Sequence, residues 1–200
     1  MSQQSIAAVI LAAGASRRMG QPKQLLPYRG QTLLGYVIQC ALASSCSRVI
    51  VVLGANADKI EPEIKQFPIE IVKNSEWAQG ISSSIRCGAS YIQEKFPNTN
   101  GIIFLACDQP FISADAIEQL IKLHSKSAKP IIASQYQTTR GIPALFGRSF
   151  YSDLTQLQGD QGAKQIIQKQ LDQVATVNFP KGEIDLDTPT QYQQLISEKD

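Results

Sequence analysis

Short apolar, β-prone runs alternate with amphipathic stretches along most of this chain, and this alternation limits the possible folds more than any other feature. Strands are expected at residues 6–13, 48–53, 69–73, 101–106, 130–134, 142–146 and 174–179. Helices are expected at 32–44, 57–67, 82–93, 113–127, 161–171 and from 189 onward. The first run is apolar at every position, which is typical of a strand buried on both faces. The pattern predicts a three-layer α/β/α fold with a mainly parallel sheet, in a single domain over residues 1–200.

Charge and composition exclude several classes of protein. The chain is 43% hydrophobic and 18% charged, which is typical of a globular protein rather than a disordered one. Its net charge of +2 indicates neither a nucleic-acid partner nor a membrane partner. The first residues lack the positive segment of a signal peptide, and no apolar run reaches the ~20 residues of a membrane span. We therefore expect a cytoplasmic location.

Cysteine and histidine usage narrows the chemistry further. The four cysteines form no C-x-x-C pair, so they indicate neither a zinc ribbon nor a redox motif. The single histidine, His124, excludes a multi-histidine zinc site and argues against a Ser-His-Asp triad. This usage is consistent with chemistry that needs no covalent enzyme intermediate.

The loop after the first expected strand has the composition of an anion site. Small residues from Ala12 to Ala15 would let a ligand approach the backbone, whose amides can bind phosphate oxygens. Arg18 and Lys23 could add charge-assisted hydrogen bonds to a polyphosphate. The spacing of Gly14 and Gly20 fits neither G-x-x-x-x-G-K-[ST] nor G-x-G-x-x-G. The alternative is a basic βα turn that only exposes its charges.

Two acidic motifs follow expected strands and could share a metal ion. Asp108 stands directly after the 101–106 strand, and Asp185 and Asp187 follow the last one. Mg²⁺ is usually held by one or two carboxylates together with phosphate oxygens and water. The alternatives are a turn at Asp108 and a helix cap at Asp187 with Thr188.

The order of these motifs resembles the MobA-like nucleotidyltransferases, and most closely their molybdenum cofactor cytidylyltransferase (MocA-type) branch. The shared patterns are L-A-A-G-x-S-x-R-M-G-x-x-K at residues 11–23, D-Q-P at 108–110 and D-I-D-T-P at 185–189, where this chain has Leu186 in place of the isoleucine. The resemblance implies a Rossmann-like nucleotidyltransferase fold and catalytic roles for Arg18, Lys23 and Asp108. It also implies a Mg²⁺ ion, with Mn²⁺ as the substitute, on Asp108 and Asp187, the latter being favoured over Asp185. The nucleotide-binding residues that it implies are Leu11, Ala12, Ala13, Gly14, Ser16, Arg18, Lys23, Ser82, Ser83, Ser84 and Asp108.

Three further segments resemble the substrate-selecting parts of the same family. Residues 74–84 match N-x-x-W-x-x-G-x-S-x-S, which implies base or phosphate contacts from the serines; a serine-rich helix cap is the alternative. Residues 141–146 and 157–164 match G-x-P-x-x-F and L-x-G-D-x-G-A-[RK]. They imply an acceptor site formed by Arg140, Gly141, Pro143, Gly159 and Asp160, although Asp160 could instead cap a helix.

The resemblance also implies a reaction. The form L-A-A-G, in place of the L-A-G-G of guanylyltransferases, is associated with CTP. The expected activity is transfer of CMP from CTP to molybdopterin with release of pyrophosphate, and a molybdoenzyme or its chaperone would receive the product. The alternatives are a sugar- or alditol-phosphate nucleotidyltransferase, a GTP-using molybdenum cofactor guanylyltransferase, and a non-catalytic cofactor-binding chaperone.

Overall fold

A computed structural model describes residues 4–160 and 162–197. The strands are β1 (Ile6–Ala12), β2 (Pro27–Tyr28), β3 (Gln31–Thr32), β4 (Arg48–Leu53), β5 (Glu70–Lys73), β6 (Gly101–Ala106), β7 (Ile131–Tyr136), β8 (Thr139–Gly147) and β9 (Val174–Asn178). The α-helices are α1 (Leu33–Leu42), α2 (Ala57–Ile64), α3 (Ile81–Lys95), α4 (Ala114–Lys126), α5 (Tyr151–Thr155), α6 (Gly162–Lys169) and α7 (Pro189–Ser197). None of the helices within these ranges has the length and apolarity needed to cross a bilayer.

Seven strands form one sheet in the order β5-β4-β1-β6-β8-β7-β9. Strands β5, β4, β1 and β6 are mutually parallel, and β9 is parallel to β7. Strand β8 is antiparallel to both of its neighbours because only a tight turn separates it from β7. The predicted mainly parallel sheet is confirmed. The reversal of β8 brings its first residues to the edge where β6 ends.

Helices cover both faces of this sheet, so the predicted three layers are confirmed. Alternate residues of β1 point to opposite faces: Ile10 belongs to the core beneath α1, α2 and α4, and Val9 to the core beneath α3 and α6. This arrangement explains why β1 is apolar throughout, since neither of its faces contacts water.

Two helix starts follow from side-chain caps. The Thr32 hydroxyl accepts a hydrogen bond from the Gly35 amide, as expected for the cap of α1. Ser113, rather than Asp115, caps α4 by accepting from the Ala116 amide. Both caps satisfy amides that the first turn of a helix leaves without an internal partner.

Several element boundaries differ from the expectations. Helix α2 ends at Ile64 rather than residue 67, and α3 is longer than expected at both ends. The expected start of α6 at Gln161 lies outside the described residues, and its end is Lys169 rather than residue 171. Helix α5 and the β2–β3 hairpin were not expected. Both are too short for a periodic pattern, although the hairpin turn at Arg29 and Gly30 has the two positive φ angles of a tight type I′-like connection.

Candidate active site

The loop that follows β1 is held by one buried glutamine. Gln24 is fully buried, and its side-chain amide donates to the backbone oxygens of Ala12 at 2.9 Å and Gly14 at 3.0 Å. The Ser16 hydroxyl donates to the Gln24 side-chain oxygen at 3.2 Å and accepts from the Lys23 amide at 3.1 Å. These bonds tie the beginning of the loop to its end. The sequence predicted no role for Gln24, because its partners are backbone oxygens whose direction the sequence does not show.

The three charged motifs of the sequence come together beside this loop. The Lys23 ammonium lies 2.5 Å from Asp108 Oδ2 and 2.9 Å from Asp187 Oδ1. Arg18 contacts the other oxygen of Asp187 at 2.8 Å, and its side chain is 70% exposed whereas that of Lys23 is only 11% exposed. Lys23 and Asp187 are 164 positions apart in the chain, so the fold brings them together. We refer to Lys23, Asp108 and Asp187 as the charge cluster.

The electrostatics of the cluster favour charged side chains. Burial disfavours the charged form of Lys23, but the attraction of Asp108 and the hydrogen bonds to both carboxylates outweigh it, so the pKa of Lys23 is raised. Partial burial likewise opposes ionisation of Asp187, but Lys23 and Arg18 outweigh it and lower the pKa of that carboxyl. At neutral pH Lys23 is therefore an ammonium ion and Asp187 a carboxylate.

Asp185 has a different environment from Asp187. Asp185 is exposed, but partial desolvation by the surrounding protein raises its pKa to about 7, and the negative charges of Asp108 and Asp187 act in the same direction. Asp187 contacts Lys23 and Arg18 directly. The choice of Asp187 over Asp185 as a metal ligand agrees with this contact and stays a prediction.

The segment from Phe179 to Thr188 carries Asp187 to the cluster. The Leu186 amide donates to the Asp108 backbone oxygen at 3.0 Å, and Leu186 itself is buried against Tyr28 and Leu33. The alternative role of this segment was to cap the last helix, α7. Thr188 provides that cap, since its hydroxyl accepts a weak hydrogen bond from the Gln191 amide at 3.4 Å. The Asp187 carboxylate is thus left to contact Lys23.

A cavity of about 420 Å³ opens next to the cluster. Three segments line it: the loop after β1, the 3₁₀ turn Trp77–Gln79 with the start of α3, and the end of β6. Among the expected nucleotide-binding residues, the following line the cavity: Leu11, Ala13, Gly14, Ser16, Lys23, Ser84 and Asp108. Ala12, Ser82 and Ser83 are buried and do not line the cavity. Arg18 does not line it either, but its guanidinium contacts Asp187 of the charge cluster.

The serines at the start of α3 form a buried hydrogen-bond network. The Asn74 side-chain amide donates to the hydroxyls of Ser83 at 2.8 Å and Ser84 at 3.1 Å. The Ser83 hydroxyl donates to the Gly80 backbone oxygen, whereas the Ser82 hydroxyl is buried without a partner among the described residues. The residue at the cap position is Gly80, which has no side chain, so the serines do not cap this helix. Ser84 is the serine that reaches the cavity.

The expected acceptor residues fall into two groups, neither of which lines this cavity. Arg140, Gly141 and Pro143 lie in the first half of β8, where the Gln109 side chain, next to Asp108, donates to the Ile142 backbone oxygen at 3.2 Å. Gly159 and Asp160 lie against the start of α3. A Cβ atom placed on Gly80 would come within 1.8 Å of an Asp160 carboxylate oxygen. The acceptor role of both groups of residues stays a prediction.

Comparisons with known proteins agree with this geometry. Residues 8–174 match the family model described as the MobA-like NTP transferase domain. The chain is 31% identical to nicotine blue oxidoreductase of Paenarthrobacter nicotinovorans, with 96% of each chain covered. It is also 32% identical, over 62% of each chain, to molybdenum cofactor cytidylyltransferase of Escherichia coli.

Solved structures show the same similarity. Rv0371c of Mycobacterium tuberculosis, crystallised in complex with manganese, superposes with a TM-score of 0.79 and 26% identity over 97% of this chain and 99% of that one. The sequence match and the fold therefore agree, and this chain belongs to the MobA-like NTP transferase family of nucleotidyltransferases.

Proposed function

We propose that this protein transfers CMP from CTP to the phosphate of a molybdopterin-type acceptor, releases pyrophosphate and requires Mg²⁺. The observation that carries the proposal is the charge cluster, placed at the edge of a cavity that the small-residue loop lines. Two observations support CTP as the nucleotide and molybdopterin as the acceptor: the 32% sequence identity to the Escherichia coli molybdenum cofactor cytidylyltransferase, and the L-A-A-G form of residues 11–14.

The donor set of the cluster fits a magnesium ion. Asp108 and Asp187 present hard carboxylate oxygens to a single positive centre, the Lys23 ammonium, at 2.5 and 2.9 Å. The described ranges contain no group of three or more His, Cys, Asp or Glu side chains suited to a metal. Mg²⁺ is commonly held by only one or two carboxylates, with phosphate oxygens and water completing its shell. When bound, it neutralises charge that develops on the phosphate oxygens.

The mechanism needs positioning and charge neutralisation rather than a covalent enzyme intermediate. An oxygen of the acceptor phosphate attacks the α-phosphorus of the nucleotide, the new P–O bond forms, and the bond to the β-phosphate oxygen breaks. The electron pair of the broken bond leaves with pyrophosphate. Lys23 and Arg18 supply positive charge where this leaving group becomes more negative. The loop after β1, tied by Gln24, holds the triphosphate in line.

A nucleotide and acceptor screen tests the proposal. Pyrophosphate release is measured with CTP, GTP, ATP and UTP at equal concentrations, with and without molybdopterin, and we expect release that requires molybdopterin and is fastest with CTP. Faster release with GTP indicates a guanylyltransferase, and release with a sugar or alditol phosphate alone indicates the other acceptor class. Either result contradicts the proposed substrates.

Variants of the acidic pair separate an enzyme from a binding chaperone. Asp108→Ala and Asp187→Ala should each lower the turnover about 100-fold or more while the fold is retained, because both carboxylates bond the Lys23 ammonium and are the proposed ligands of the cation. Asp58→Ala is the matched control, since its side chain is 98% exposed and lies outside the cavity lining. Turnover that survives in both cluster variants would contradict the enzymatic role.

The similarity to nicotine blue oxidoreductase, 31% identity over 96% of the chain, favours a second candidate function, an oxidoreductase with the same fold. An oxidoreductase transfers electrons and releases no pyrophosphate. The same screen, repeated with NADH or NADPH and read by absorbance, distinguishes the two activities.

A further inference from the structure

The Lys23 ammonium lies between the two carboxylates that are expected to hold the cation. Its distances to Asp108 Oδ2 and Asp187 Oδ1 are 2.5 and 2.9 Å, and its side chain is 11% exposed. The second oxygen of Asp187 is bonded to Arg18. Lys23 also belongs to the lining of the 420 Å³ cavity, so the same side chain borders both the acidic pair and the space that we assign to the triphosphate.

A divalent cation that bridges Asp108 Oδ2 and Asp187 Oδ1 competes with the ammonium for these two oxygens. Mg²⁺ binds carboxylate oxygens at about 2.0–2.1 Å, which is closer than the ammonium approaches them. Two positive centres within ~3 Å in a partly buried site repel each other strongly. Entry of the cation therefore requires the ammonium to leave its two oxygens.

An ammonium ion that leaves this position needs another anionic partner, because a buried unpaired charge is costly. The cavity next to Lys23 provides one when a triphosphate fills it. We propose that Lys23 couples the two ligands: it occupies the cation position until the triphosphate draws its ammonium away, so that cation and nucleotide bind cooperatively. This inference rests on the proposed function for the identity of the cavity ligand.

The coupling has two measurable consequences. Without nucleotide, the cation binds weakly because it must displace a bonded ammonium. Replacing Lys23 by an uncharged residue removes the competing ammonium from Asp108 Oδ2 and Asp187 Oδ1, so the affinity for a divalent cation rises. Coupling between two ligands is reciprocal, and typical factors are about 5–150-fold. We expect a tightening of about tenfold or more.

The test measures Mn²⁺ binding by electron paramagnetic resonance, with no nucleotide or acceptor present. Lys23→Met and the polar variant Lys23→Gln should each lower the Mn²⁺ dissociation constant about tenfold relative to the unaltered chain. Arg18→Met is the matched control: it also removes a positive charge bonded to Asp187, but that side chain is 70% exposed and bonds one carboxylate only. We expect a change below about threefold for this control.

A double variant checks whether Mn²⁺ binds at Asp108 and Asp187. Adding Asp108→Asn to Lys23→Met should abolish the gained affinity if Mn²⁺ binds the acidic pair. Thermal melting confirms that each variant is folded, and two substitutions at Lys23 keep the test open if one fails to fold.

The outcomes separate this inference from the proposed function. If both Lys23 variants bind Mn²⁺ within twofold of the unaltered chain, or if Arg18→Met tightens binding as much, the coupling is wrong while the nucleotidyltransferase screen is unaffected. If no chain binds Mn²⁺ at millimolar concentration, the coupling is wrong, whereas the metal requirement of the proposed function is still tested by turnover with CTP and Mg²⁺. The binding measurement uses no CTP, so a different nucleotide preference leaves its result unchanged.

Discussion

Gln24 is the residue whose substitution most directly tests how the phosphate loop is held. We expect Gln24→Leu, a change of similar size, to destabilise the protein and loosen the loop together. The substitution removes two hydrogen bonds to backbone oxygens and one from Ser16. At about 0.5–1.5 kcal/mol each, three bonds amount to about 1.5–4.5 kcal/mol. Burial of the leucine side chain recovers about 1 kcal/mol, so the expected net loss is about 2 kcal/mol.

Urea denaturation and steady-state kinetics measure the two effects. The free energy of unfolding should fall by about 2 kcal/mol, and the KM for the nucleotide should rise about tenfold, since the loop no longer holds the phosphates in one geometry. Gln66→Leu is the matched control: Gln66 is exposed, makes one bond to the Glu63 backbone oxygen, and should change stability by less than about 0.5 kcal/mol. If Gln24→Leu stays within about 0.5 kcal/mol of the unaltered chain with the same KM, the bracing role of Gln24 is refuted.

Two further predictions concern the cavity wall and the acidic segment. Gly54→Ala should lower the free energy of unfolding, measured by urea denaturation, by about 1–3 kcal/mol and should weaken nucleotide binding. The added Cβ would lie 2.6 Å from Trp77 Cβ and 2.7 Å from the Ala13 backbone oxygen. An unchanged unfolding midpoint would contradict this packing. Between its ordinary pKa of 3.8 and the folded value of about 7, Asp185 binds a proton in the folded state that the unfolded chain has lost, so stability falls as pH rises through this window. Asp185→Asn should therefore raise the melting temperature more at pH 8 than at pH 4.5. The corresponding gain in the free energy of unfolding should not exceed about 1 kcal/mol, because solvent screens a partly exposed carboxyl. A gain that does not depend on pH would contradict the raised pKa of Asp185.

The parts of the fold that the sequence predicted are those with a strong periodic signal. Strand β1 is apolar on both faces because helices cover both sides of the sheet, and the alternation of strands and helices follows from the same arrangement. Helix α5 was missed because its five residues span little more than one turn. The reversed direction of β8 depends on which strands pair, and the apolar pattern of β8 itself does not show this reversal.

The candidate site was predictable as a set of residues but not as a geometry. Lys23, Asp108 and Asp187 were singled out from motifs, yet their contact depends on how the segment after β9 runs past the end of β6. The role of Gln24 requires knowing that the Ala12 and Gly14 carbonyls turn inward, which is a backbone property. Side-chain type alone does not contain that information.

The long sequence separation inside the charge cluster has a kinetic consequence. The contact between Lys23 and Asp187 closes a loop of 164 positions, and we expect it to form late in folding, because the entropy of closing the loop is lost before any contact compensates for it. The parallel strands β1, β4 and β6 can associate before this contact exists. Detachment of the segment from Phe179 to Thr188 would therefore abolish the acidic pair while most of the sheet stays paired. We therefore expect activity to be lost before the sheet unfolds, and activity and sheet content lost together on denaturation would contradict this expectation.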